Sequence, residues 1–66
     1  MSLLAEIQPG EVFHQEAVSF EEALEYKAFY LATTCKPVNI YTGKILDAWP
    51  SMLVQKVNAK AVVSKL

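Results

Sequence analysis

Ser19-Phe20-Glu21-Glu22-Ala23-Leu24-Glu25-Tyr26-Lys27-Ala28-Phe29-Tyr30 is the stretch on which the fold turns. Its first four residues form a capping box. The Ser19 hydroxyl is placed to accept from the Glu22 amide, and the Glu22 side chain to reach back to the amide of Ser19. Glu21, Glu22 and Glu25 lie near the positive end of the helix dipole. At about 100° per residue, Phe20, Leu24, Ala28, Leu31 and Cys35 fall on one stripe, which predicts a helix from about 19 to 34 packed on a core. Lys36-Pro37 ends it, because the residue before a proline is pushed out of the α region.

The same wheel sets Phe29 about 180° from Phe20, on a face shared with Glu22 and Tyr26. A helix merely resting on a sheet leaves that face wet, so a phenylalanine there points to burial in an interface. Phe29, Tyr26 and Glu22, together with Trp49, are the expected protein contact.

Outward from this helix, Pro9-Gly10 suits the centre of a type II turn, with proline fixing φ and glycine accepting a positive φ. Residues 3 to 8 and 11 to 18 flank it as strands, although the second alternates too imperfectly to assign its buried face. On the other side, Val38-Asn39-Ile40-Tyr41 and Lys44-Ile45-Leu46 read as strands of a hairpin across Thr42-Gly43. Residues 48–65 read two ways. Asp47 could cap a helix with Pro50 in its first turn, whereas Val54, Val57, Val62 and Val63 favour a strand. The fold class is therefore α+β, one small domain over residues 1–66: a capped central helix on a short antiparallel sheet, with the C-terminal segment undecided.

A domain of 66 residues buries only about 60% of the surface its unfolded chain exposes, which leaves a thin margin over conformational entropy. Cys35 is the only cysteine, so no disulfide adds to it, and Cys35 and His14 are too few soft ligands for a structural metal. Hydrophobic residues make up 53% of the chain, and the mean hydropathy is +0.22. Some apolar surface is expected to remain exposed and to be covered by a second copy or another protein.

The net charge of −1 hides a polarity. Residues 1–33 carry six glutamates against Lys27, or −5, and residues 34–66 carry five lysines against Asp47, or +4. The two halves are expected to neutralise each other, within a chain or across a dimer, or else to face different partners. No run of apolar residues approaches the roughly 18 needed to span a membrane, Met1-Ser2-Leu3-Leu4 lacks the basic start of a leader, and neither Ser2 nor the ending Val63-Ser64-Lys65-Leu66 suggests a lipidation motif. No membrane partner is expected, and the expected location is the cytoplasm.

No motif for catalysis, cofactor or metal emerges. His14 and Asp47 could join Ser19, Ser51 or Ser64 in a nucleophilic triad, but Ser19 serves as a cap and nothing in the spacing gathers the others. His14 reads as a partly exposed strand residue and Cys35 as a small packing residue at a helix end. Gly10 and Gly43 are the only glycines, and neither opens a helix as a phosphate loop requires. Lys44, Lys56, Lys60 and Lys65, with Tyr41 and Trp49 nearby in sequence, form a possible nucleic-acid contact. Against it stand the absence of arginine and a pI of about 5.7.

The expected function is accordingly a non-enzymatic interaction or regulatory protein, acting by protein–protein binding as a homodimer. The alternatives are a DNA- or RNA-binding regulator using those lysines, and a structural subunit of a larger assembly such as a virion. The element order is shared by many small α+β proteins, phage-encoded regulators and viral accessory proteins among them, and assigns no family.

Overall fold

The computed structural model describes residues 2–65. Met1 and Leu66, which the readings of the chain ends include, lie outside them. Five strands form one antiparallel sheet: β1 (Ser2–Leu3), β2 (Val12–Gln15), β3 (Tyr30–Leu31), β4 (Val38–Asn39) and β5 (Leu53–Val57), in the order β1-β5-β2-β3-β4. Two short helices, α1 (Phe20–Glu25) and α2 (Ala59–Val63), complete the mixed α+β fold.

The poor alternation of β2 has a plain cause: as the central strand it is covered on both faces. Val12 belongs to one buried cluster with Ala23, Phe29 and Val62. Phe13 points the other way, into a second cluster with Ala32, Met52 and Val54. A strand buried on both sides has no polar face to reveal itself by.

Ser19 caps α1 as expected, its Oγ accepting from the Glu22 amide at 3.1 Å. The helix is much shorter than its periodicity implies. It stops at Tyr26 in a Schellman motif, in which the Ala28 amide donates to the Ala23 carbonyl (2.8 Å) and the Lys27 amide to that of Leu24 (3.4 Å). Lys27 takes the left-handed position of this motif, with φ 55°. Glycine is the usual occupant there, and any other residue costs roughly 1–2 kcal/mol. With no glycine or asparagine present, the stop is invisible to pattern reading.

Past Lys27 the chain is extended, and the stripe is broken. Phe20, Leu24 and Ala28 pack on the first cluster. Leu31 and Cys35 are exposed. Phe29, assigned by the wheel to an outer face, is fully buried. It lies in the extended segment leading into β3 instead of continuing a helix, so its ring returns to that of Phe20, with centroids 5.2 Å apart.

Pro9-Gly10 forms the expected turn, with Gly10 at φ 93° and the Glu11 amide donating to the Gln8 carbonyl. The flanking strands are shorter than expected, because residues 4–6 coil into a 3-10 turn. The reversal at Thr42-Gly43 is present as well: Val38 bridges Ile45, and the Asn39 amide donates to the Lys44 carbonyl at 2.8 Å. The loop spans residues 40–43, and the Asn39 side chain holds it by accepting from the amides of Tyr41 and Thr42.

The undecided C-terminal segment is strand and then helix. The Leu53-Val54-Gln55-Lys56-Val57 run pairs along β2. Asn58 then accepts from the Lys60 amide and caps α2. Asp47 caps nothing; its carboxylate pairs with Lys36 at 3.0 Å.

Candidate functional site

Of the residues weighed from sequence as a nucleophilic triad, Ser19 caps α1 and Asp47 pairs with Lys36, and His14 and Ser64 are engaged as well. His14 is 4% exposed. Its Nδ1 donates to the Gln15 carbonyl at 2.8 Å, and its ring stands edge-on to both Phe20 and Phe29. It is thus a core residue, not the partly exposed one expected. Ser64 donates to the Ala61 carbonyl. Among the described residues, no three His, Cys, Asp or Glu side chains are grouped as metal ligands.

Of the four residues expected at a protein interface, Phe29 is removed by its burial. Glu22 is exposed on α1, and Tyr26 and Trp49 are 70% and 57% exposed. Tyr26 and Trp49 belong to different surfaces, because each lines a different hollow.

Trp49 stands at a groove of about 290 Å3. Leu4 from the 3-10 turn and Ile7 just after it line it together with Ala32, Ala48 and Pro50. Leu4, Ile7 and Ala48 also pack on the second cluster, so the groove lies directly over the core. Cys35 and Lys36 line it too. Cys35 is therefore an exposed thiol, not a packing residue. The volume falls at the lower limit of small-molecule sites, about 300 Å3, and the walls are mostly apolar.

Beside the groove lies the sheet edge. Leu3 of β1 and Leu53 of β5 are cross-strand partners, and both are exposed. One residue along from Leu3, Leu4 enters the groove wall. A folded monomer of this mass exposes about 4,200 Å2, against 4413 Å2 here. The amount of surface is ordinary; the large apolar side chains on it are what stand out.

The lysines expected to act together are dispersed. Lys56 pairs with Glu11 at 3.2 Å, linking the acidic and basic halves of the chain. The main cause holding the Glu11 carboxyl below its ordinary value is the hydrogen bond from the Gln8 amide, followed by the bond from Lys56. Lys60 is exposed on α2. Lys44 and Lys65 line separate hollows that meet at Lys27. Sequence reasoning counted Lys27 only as a counter-charge in the acidic half.

Comparison with models of protein families, with curated proteins and with solved structures finds no match. No helix is long and apolar enough to cross a membrane among the described residues. The functional reading therefore rests on the surface itself.

Proposed function

We propose that this chain acts by protein–protein contact, as a homodimer joined along the edge strand β1 and the adjoining Trp49 groove. The observation that carries the reading is the half-exposed indole of Trp49 standing over apolar walls, since tryptophan is a leading contributor to interface energy when desolvated. The edge position supports a second copy as the occupant. β1 ends the sheet, and among the described residues no strand lies on its outer side. An antiparallel pairing of β1 with itself across a two-fold axis extends the sheet and presents the same patch from both chains. An interface of standard size, about 800 Å2 per partner, takes roughly a fifth of the 4413 Å2 surface.

In this reading the protein resides in a reducing compartment, the cytoplasm, where Cys35 stays a thiol. Trp49 is the only tryptophan, so its fluorescence reports directly on the contact. Dilution should shift its emission to the red as the dimer separates. Leu3→Lys, which places a charge on the edge, should give the diluted spectrum at every concentration. Emission that is independent of concentration in the wild type, and unaltered by Leu3→Lys, contradicts the proposal.

A further inference from the structure

Two hollows share no lining residue with the Trp49 groove and meet at Lys27. Tyr26, Tyr30 and Lys44 line one; Tyr41 and Lys65 line the other. None of the described residues lining either is acidic, and Glu25, two residues before Lys27, lines neither. The ion pairs among the described residues use Lys36 and Lys56, leaving Lys27, Lys44, Lys60 and Lys65 without a carboxylate partner among them; of these four, Lys60 alone lines neither hollow.

Lys27 occupies the left-handed position that a glycine would take with less strain. Favourable interaction with the helix dipole does not explain this choice, because a lysine anywhere in the last turn supplies it at ordinary φ. The Asn39 side chain donates to the Lys27 carbonyl at 2.9 Å while accepting from the amides of Tyr41 and Thr42. It thereby fixes the end of α1 against the loop that leads to Lys44. Tyr41 lines the second hollow, and its hydroxyl is buried with no hydrogen-bond partner among the described residues.

We propose that Lys44, Lys27 and Lys65 hold successive phosphates of a single-stranded nucleic acid, with the exposed ring of Tyr26 stacking on a base. Three lysines spread over two hollows that share Lys27 suit a repeating anion better than an isolated one. An exposed aromatic beside them suits unpaired bases, whose faces a duplex hides. The chain has no arginine, the residue best shaped to read guanine, so binding is tolerant of sequence.

The test is fluorescence anisotropy of the full chain with a labelled ten-nucleotide oligo(dT), beginning at low salt. Three phosphate contacts predict that log K falls with log salt with a slope of about −2, and Lys27→Gly should reduce its size by about 0.7. Lys27→Gly should also melt at a higher temperature than the wild type, which separates lost binding from lost folding. Tyr26→Ala should weaken binding about tenfold with the slope unchanged. Lys60→Gln, outside both hollows, should leave the slope as it is. The proposal is overturned by no binding at low salt, by equal slope losses in Lys60→Gln and Lys27→Gly, or by equal competition from polyglutamate or millimolar inorganic phosphate. Because neither hollow includes Trp49 or Leu3, these outcomes are independent of the dimer proposal.

Discussion

The ring of Phe29 stands nearly perpendicular to the imidazole of His14, with centroids 5.6 Å apart and planes at 84°. Phe20 closes the group from α1. This aromatic contact ties helix, central strand and β3 together. Truncating Phe29 to alanine should cost about 3–5 kcal/mol. A chain of this length has only about 3–10 kcal/mol in total, so Phe29→Ala should lose about half or more of its stability, read as a large fall in melting temperature by circular dichroism. Tyr26→Ala, three residues earlier and on the surface, should change stability by less than about 0.5 kcal/mol. Equal effects from the two substitutions would put Phe29 outside the core.

The Glu11 carboxylate links the Pro9-Gly10 turn to β5 through the Gln8 amide and Lys56. Its pKa is lowered on folding, so its contribution to stability is present above the ordinary carboxylate value of about 4.5 and is lost as pH falls through the lower folded value. Thermal melts between about pH 5 and 3 should show a smaller decline for Glu11→Gln than for the wild type. The Glu11 side chain borders solvent, so the difference should shrink in high salt. Parallel declines for the two proteins would remove Glu11 from the acid response.

Cys35 and Trp49 line the same groove. A bulky maleimide should react with native Cys35 at close to the rate of the unfolded chain, and the attached group should alter Trp49 emission. Loading the groove in this way should also block self-association. Slow labelling, or labelling that leaves the tryptophan spectrum unchanged, would show that the two side chains do not share an open surface.

What the sequence revealed were the features encoded by a few neighbouring residues. The Ser19 cap, the Pro9-Gly10 turn and the reversal near Gly43 depend on local hydrogen bonds and on φ values that particular residue types favour. The α+β class followed from them. The end of α1 did not, because its left-handed residue is Lys27 and not a glycine, and that one omission turned Phe29 from a core residue into a supposed surface one. Each reading of residues 48–65 caught one element and misplaced its bounds: Val54 and Val57 lie in β5 as a strand reading has them, but Val62 and Val63 lie in α2, which Asn58 caps and not Asp47. Trp49 was picked out, but its groove was hidden, since the walls come from residues around 4, 32 and 48 that only the folded chain assembles. The grouping of Lys27 with Lys44 and Lys65 was hidden for the same reason.

Sedimentation velocity over a concentration series, comparing the wild type with Trp49→Ser, tests the homodimer reading most directly. The wild type should pass from monomer to dimer as concentration rises, while Trp49→Ser remains monomeric with an unchanged circular dichroism spectrum. A wild type that is monomeric at every concentration, or a Trp49→Ser protein that dimerises equally well, would contradict it.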